Sequence, residues 1–191
     1  MAKYKIIALI GEAGSGKDTV MQKVLAAAPG LFNEIVSCTT RPMREGEVEG
    51  VNYYYLTDKE FQDKVIAGQM FETAEFNGWM YGTSYDALSA DKPNIGVFNP
   101  TGIYSMLLRN DIDLTVFKIT CSSKERLLRQ LNRENNPNVD EIIRRFGTDK
   151  KDFENLQFDY INLVNEIPVL IDNSINQILR SVEYTGVQGQ D

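Results

Sequence analysis

The chain has 191 residues, 42% hydrophobic and 25% charged, which suits one globular domain with a good core and room for small inserted lobes. The net charge of −7 leaves no basic surplus for a nucleic acid or an anionic membrane, so neither is expected as a partner. Because the sequence has no histidine, imidazole catalysis and histidine metal sites are excluded. Cys38 and Cys121 match no metal-ligand spacing and fit reduced thiols in a cytoplasmic protein.

The first predicted elements are a buried strand over residues 3–10 and a helix over residues 17–28. Between them lies GEAGSGK, which matches the G-x-x-x-x-G-K-[ST] phosphate-binding pattern up to its lysine. Glycines let such a loop turn its N–H groups inward, and the helix N-terminus adds a positive dipole end. The sequence therefore predicts phosphate binding by Gly11, Gly14, Ser15, Gly16, Lys17, Asp18 and Thr19.

Further strands and helices alternate along the chain in the order of a parallel α/β protein. Strands are predicted at residues 33–37, 95–98 and 113–120, and helices at 101–109, 123–133 and 139–156, the last after an exposed turn, NRENNPN. The side chains expected to face inward from these helices are Ile103, Leu107, Leu108, Leu127, Leu128, Leu131, Ile142, Ile143, Phe146 and Phe153. The last strand fits residues 161–164 or 168–171, a closing helix follows, and the tail, residues 186–191, is expected to fray.

Residues 38–90 interrupt this alternation with a long, specific pattern. The sequence CTTRPMREGEVEGVNYYYL is followed by a predicted helix and by QMFETAEFNGWMYGTS. These segments resemble STTRxxRxGExxGxxYxF and FxExAxxxGxxYGT, the motifs of the guanylate kinase family, with Cys38 where a serine is common. With the phosphate loop and an arginine-rich segment near residues 126–145, the resemblance covers about four-fifths of the chain.

The resemblance implies a P-loop kinase core with a parallel sheet flanked by helices, an inserted mixed α+β monophosphate-binding lobe and a small helical lid. The core would comprise residues 1–37, 91–131 and 146–185, the lobe 38–90 and the lid 132–145. The implied ligands are small-molecule nucleotides, with ATP as phosphoryl donor and Mg²⁺, and the implied assembly is a monomer or homodimer.

The lobe contains the residue types that a guanine monophosphate requires. Arg41 and Arg44 can each fork onto a phosphate, and the resemblance adds Tyr53 and Tyr81 to this clamp. Guanine offers N1–H and N2–H₂ as donors, which a single carboxylate can accept, whereas adenine offers an acceptor at N1. The resemblance places Glu72 at the base-reading position and Ser37 and Thr83 beside it, so phosphorylation of GMP or dGMP is expected.

The resemblance also assigns residues to the phosphoryl donor. Lys17 would hold the β- and γ-phosphates, and Arg133, Arg144 and Arg145 would close from the lid, with Arg129 as a further candidate. Arg126 is expected on a solvated face. Asn165, Asp172 or Asn173 would line the adenine end of the site.

Three residues depart from the family pattern. Asp18 stands where a Ser or Thr hydroxyl would reach Mg²⁺, and the third strand ends in Val97 and Asn99 where the family has two aspartates. An Asn99 carbonyl can still accept a hydrogen bond from the base, without charge. We hypothesise that the metal-supporting carboxylate has moved from position 97 to Asp18, so that Val97→Asp would partly rescue Asp18→Ser.

Three other functions fit parts of the sequence. Ribose 1,5-bisphosphate phosphokinases carry GSGKD and a strand ending in asparagine, but they lack the full TTRPMREGE clamp. Phage deoxynucleoside monophosphate kinases can also have GKD and accept several bases. Guanylate kinase-like scaffold modules bind proteins without catalysis, but their phosphate loop is eroded, whereas Lys17 and the loop glycines are present here.

Overall fold

The computed structural model describes residues 3–76, 78–133, 135–166 and 168–183. The larger of two sheets in these ranges contains, in chain order, the strands β1 Tyr4–Ile10, β2 Asn33–Glu34, β7 Asn94–Val97, β8 Ile112–Thr120 and β9 Ile161–Val164. Their order across the sheet is β2-β7-β1-β8-β9. The pairs β2–β7 and β8–β9 are parallel. The predicted α/β fold class is confirmed.

The smaller sheet is mixed, and its strands are β3 Cys38–Thr39, β4 Tyr54–Tyr55, β5 Met70–Phe76 and β6 Trp79–Ser84. Their order across the sheet is β4-β3-β6-β5. The helices are α1 Lys17–Ala27, α2 Asp58–Ile66, α3 Pro100–Leu107, α4 Ser123–Leu131, α5 Val139–Glu154 and α6 Pro168–Glu183. None of the helices within the described ranges is long and apolar enough to cross a membrane.

The described chain divides into two compact units. The first holds residues 3–8 and 33–114, with buried Phe61, Ile95, Ile103 and Met106 among its core side chains. The second holds residues 9–32 and 115–183, with a core that includes Val24, Phe117, Leu163 and Ile178. The predicted division into core, lobe and lid is finer than this and stays a prediction.

The predicted inner face of α3 is partly wrong. Ile103 is buried as expected. The other large apolar side chain buried on this helix is Met106, whereas Leu107 and Leu108 are 49% and 89% exposed. The helix starts at Pro100, with the Asn99 side chain as its N-cap, and ends before Leu108. Burial at Ile103 and Met106 follows a three-residue step, which turns the next two leucines away from the core.

The predicted inner face of α4 is wrong. Leu127 and Leu128 are 36% and 42% exposed, and the side chains buried on this helix are Arg126 and Gln130. On α5, Phe153 is buried as expected, but Ile143 is 60% exposed and Asp149 is buried. Polar side chains therefore take the buried positions of α4 and share those of α5 with Phe153.

The last strand is β9, residues Ile161–Val164, so the alternative over 168–171 is wrong. Pro168 instead begins α6. Proline suits the first turn of a helix because the N–H that it lacks would have no partner within the helix. The tail at 186–191, predicted to fray, lies outside the described residues.

Candidate active site

The phosphate loop in the second unit requires glycine at two positions. Gly14 and Gly16 have φ values of 80° and 86°, a left-handed conformation that side chains disfavour. A Cβ on Gly14 would lie 2.5 Å from the carbonyl oxygen of Arg126, and one on Gly16 would collide with the Asn165 side chain. The loop is thus held tightly against the elements packed around it.

Helix α1 begins at the end of this loop, and within the described residues no side chain accepts a hydrogen bond from the backbone N–H groups of its first turn. Its N-cap is Gly16. Lys17 is 20% exposed, and its Nζ lies 3.7 Å from Oδ2 of Asp18, whose side chain is 71% exposed. Thr19 is exposed on the same first turn. An open helix N-terminus beside a lysine can hold a phosphate chain.

Arg129 and Asn165 support the loop from its carbonyl side. Arg129 Nη1 lies 3.4 Å from the Gly14 oxygen and 3.3 Å from the Ser15 oxygen, and its Nη2 donates to the Asn165 oxygen at 3.0 Å. The Asn165 side chain donates to the Ser15 oxygen at 2.8 Å. Asn165, predicted at the adenine end, therefore contacts the loop backbone.

Arg126 was expected on a solvated face, and this is wrong. Its side chain is 3% exposed and pairs with Glu12 of the loop at 2.8 Å. Carboxylates, a carbonyl and an aromatic face surround this guanidinium and compensate for its removal from water. Glu12, Asp149 and Gln130 are the members of this network that sequence reasoning missed.

The predicted lid arginines lie just after α4 and on α5. Arg133 follows α4 and is exposed, and Arg145 is half-buried on α5. Arg144 pairs with Glu141 at 2.7 Å, one turn earlier on the same exposed helix face. Their catalytic roles stay predictions.

The predicted base-reading residue, Glu72, lies in the first unit on β5. A register irregularity between Met70 and Glu72 places Glu72 directly opposite Thr83 in the β5–β6 pair. Thr83 Oγ1 donates to Glu72 Oε1 at 2.9 Å, and both side chains are buried. Burial raises the pKa of Glu72 to about 7, against the lowering effect of the hydrogen bonds with Thr83.

A second cluster in the same unit holds Arg41. Its Nη1 and Nη2 donate to the two carboxylate oxygens of Glu47 at 3.0 and 2.9 Å, a forked ion pair with both side chains at most 7% exposed. The guanidinium also lies over the rings of Tyr53 and Tyr55, 5.4 and 5.7 Å from their centroids. Glu47 thereby fixes the orientation of the arginine predicted to clamp the phosphate.

The other predicted substrate residues are distributed around these two clusters. The Tyr53 and Tyr81 rings pack edge to face with centroids 5.9 Å apart, next to Arg41. Ser37 is buried one residue before β3. The backbone N–H of Arg44 donates to Glu47 at 2.8 Å. Asn99 Oδ1 accepts from the Gly102 N–H at 2.8 Å, so this oxygen, predicted to contact the base, caps α3.

The Arg41–Glu47 pair is expected to make stability depend on pH. Burial would raise the pKa of Glu47, but the hydrogen bonds from Arg41, the Arg44 backbone and Tyr55 outweigh it and lower the pKa from 4.5 to about 2. A lowered folded-state pKa contributes stability above pH 4.5, and this is lost as the pH falls towards 2. Glu47→Gln should remove about 3 kcal/mol at pH 6 and much less near pH 2. Urea unfolding across this range measures it, and a parallel loss at every pH would contradict it.

The described residues form no ready-made metal centre. No group of three or more acidic or cysteine side chains gathers in the described ranges in a way that could hold an ion. Cys38 and Cys121 are both free thiols, as expected.

A parallel sheet whose first strand leads through a glycine loop and a lysine into a helix is the arrangement of the P-loop nucleotide-binding proteins. The family model for guanylate kinase matches residues 3–184. A guanylate kinase of Streptococcus agalactiae is 32% identical over 184 residues, 94% of this chain and 87% of that one. One from Symbiobacterium thermophilum is 45% identical over 81 residues, 42% of this chain and 38% of that one.

The fold agrees with these sequence matches. The crystal structure of a guanylate kinase from Anaplasma phagocytophilum superposes with a TM-score of 0.70 at 22% identity, covering 99% of this chain and 89% of that one. The chain belongs to the guanylate kinase family, within the nucleoside monophosphate kinases.

Proposed function

We propose that this enzyme transfers the γ-phosphoryl group of ATP to GMP, dGMP or both, forming the nucleoside diphosphate. The observation that carries the proposal is the buried Glu72 carboxylate opposite Thr83. In its ionised form it accepts both donors of the guanine edge, N1–H and N2–H₂. A buried carboxylate without such donors is costly, which is consistent with a site built for a ligand that supplies them.

Phosphoryl transfer depends on alignment and charge neutralisation, which this chain can supply without histidine. Lys17 and the loop N–H groups hold the ATP phosphates. Arg41 and Arg44, with Tyr53 and Tyr81, hold the acceptor phosphate, and Arg133, Arg144 and Arg145 neutralise the transferring group. The attacking phosphate oxygen is already ionised, so the step needs no strong base.

Magnesium enters with ATP as part of the substrate. Asp18 offers a carboxylate on the first turn of α1, where a hard cation bound to phosphates accepts an oxygen ligand. Its exposed side chain has room to turn towards such an ion.

Asp18→Ser is expected to lower turnover about tenfold at limiting Mg²⁺ and much less at saturating Mg²⁺, because the carboxylate supports metal binding. Initial rates over a Mg²⁺ series at fixed ATP measure this. Asp58→Ser, at an exposed acid on the first turn of α2, is the matched control. Equal activity of Asp18→Ser and the parent at limiting Mg²⁺ would exclude the role.

A coupled ADP-release assay tests the proposed acceptor. GMP, dGMP, dAMP, dTMP, dCMP and ribose 1,5-bisphosphate are compared at equal concentration, and GMP or dGMP is expected to give the highest kcat/KM. If both guanine nucleotides fail while another acceptor works, the proposed function is wrong. Because Asp18, Val97 and Asn99 depart from the family pattern, the deoxynucleotides and ribose 1,5-bisphosphate are the alternative acceptors that most need testing.

A further inference from the structure

A buried charged network lies against the first half of the phosphate loop, all within the second unit. The Arg126 side chain reaches three groups at once. It pairs with Glu12 Oε1 at 2.8 Å, its Nε donates to the Ala13 oxygen at 3.1 Å, and its Nη2 lies 3.9 Å from Asp149 Oδ2. The guanidinium carbon is 4.4 Å from the centre of the Phe146 ring.

Asp149 links α5 to the same point of the loop. Its Oδ2 accepts the backbone N–H of Ala13 at 2.6 Å, and its side chain is 3% exposed. Gln130 on α4 donates to the Ala13 oxygen at 3.3 Å. Both polar backbone groups of Ala13 are therefore held by side chains from two helices.

The loop has little freedom beside this anchor. The Arg126 backbone oxygen occupies the place that a Cβ on Gly14 would take. Gly14 in turn precedes the residues whose N–H groups face a phosphate chain. A shift of Ala13 would therefore be passed directly to the nucleotide-binding part of the loop.

We propose that Arg126 and Asp149 are positioning residues, which fix the backbone of Ala13 and so hold the phosphate loop in its ATP-binding conformation. The same contacts connect the loop to α5, which carries Arg145 one turn before Asp149. The inference rests on the ATP site of the proposed function and is independent of the acceptor.

The net negative charge of the network allows two possible effects on ATP affinity to be told apart: loss of loop positioning and a change in electrostatic repulsion. Glu12 and Asp149 carry two negative charges against the one positive charge of Arg126. Removing a carboxylate beside an anion-binding loop would by itself tighten ATP binding. Loss of positioning weakens it, so the two effects have opposite signs in Asp149→Asn.

The test is calorimetric titration of each variant with ATP and Mg²⁺, without any acceptor. Asp149→Asn and the charge-conserving Arg126→Lys should each raise the ATP Kd at least about tenfold, since each loses charge-assisted contacts to the loop. Glu154→Gln, at an exposed acid on the same helix, removes the same charge from α5 and should stay within about twofold, as expected for a surface position away from the network. An unchanged or lower Kd in a folded Asp149→Asn or Arg126→Lys variant overturns the proposal.

Two further measurements exclude a general loss of stability. The amide of Ala13 should exchange its hydrogen faster in Asp149→Asn, and the KM for the acceptor should change much less than the KM for ATP. Equal increases in both KM values would overturn the proposal.

Should the buried variants fail to fold, Glu12→Gln tests the same contact from a side chain that is 19% exposed. It should weaken ATP binding by about threefold, the size expected for a partly exposed ion pair. Unchanged or tighter binding overturns the proposal. Because the titration needs no acceptor, its result does not depend on whether GMP is the substrate.

Discussion

Lys17→Met is expected to lower kcat by about 10²–10³-fold, because the variant keeps the side-chain length but loses the cation proposed to neutralise charge on the transferring phosphoryl group. Lys17 is the first residue of α1, and its ammonium is partly exposed beside the open helix N-terminus. This placement allows it to reach bound phosphates without leaving a buried charge in the free enzyme. Steady-state rates with saturating ATP and acceptor measure the effect.

Lys23→Met is the matched control, since Lys23 is exposed on the same helix. It should change kcat by less than about twofold, as expected for a surface position away from special features. Thermal unfolding should show that both variants fold. A Lys17→Met enzyme with kcat within threefold of the parent would exclude Lys17 from the chemical step.

The phosphate loop was predictable because its determinants are local. The glycine spacing, the strand before it and the helical pattern after it all lie within residues 3–28, and β1 and α1 are found there. Gly14 and Gly16 adopt the left-handed conformations that a loop of this kind requires. The motif around Glu72 could also be recognised from the sequence. The register irregularity that places Glu72 opposite Thr83, however, depends on the pairing of two strands.

The supports of the loop could not be read from the sequence. The hydrophobic pattern of α4 predicts that Leu127 and Leu128 face the core and that Arg126 faces solvent. An arginine is rarely buried unless it is paired, and its partners are not apparent from the local sequence. Its partners, Glu12 and Asp149, are more than a hundred and more than twenty residues away in the chain. Only the tertiary structure brings them together. An acid at position 12, inside an anion-binding loop, was the one signal that a buried cation should lie nearby.

Glu72→Gln is expected to lower kcat/KM for GMP by about 10²–10³-fold, because charge-assisted hydrogen bonds to two guanine donors are lost. The loss should fall mainly on KM, since the base lies away from the transferring phosphate. Preference for GMP over AMP should decrease at the same time, because the amide of glutamine can also donate. Glu75→Gln, an exposed position on the same strand, is the control and should leave both values nearly unchanged.

The pH dependence of GMP binding gives an independent signature of the same carboxylate. With a pKa of about 7 in the free enzyme, Glu72 is protonated below neutrality and can then accept fewer hydrogen bonds from guanine. The KM for GMP should rise from pH 8 to pH 6 in the parent. Because the phosphate of GMP also titrates near pH 6, the comparison is made with Glu72→Gln, which should show a smaller rise. Identical pH profiles for the two enzymes would contradict the assignment.

Glu72→Gln should weaken GMP binding but stabilise the folded protein. A carboxyl whose pKa is raised from 4.5 to about 7 by folding destabilises the free protein increasingly as the pH rises from 4.5 to 7, and the full cost is present above pH 7. Glu72→Gln should therefore raise the free energy of unfolding at pH 8 by up to about 3 kcal/mol, and by little at pH 4. Urea unfolding at the two pH values measures this. A variant that binds GMP poorly yet folds more stably would identify Glu72 as a group kept for its ligand, at a cost to the fold.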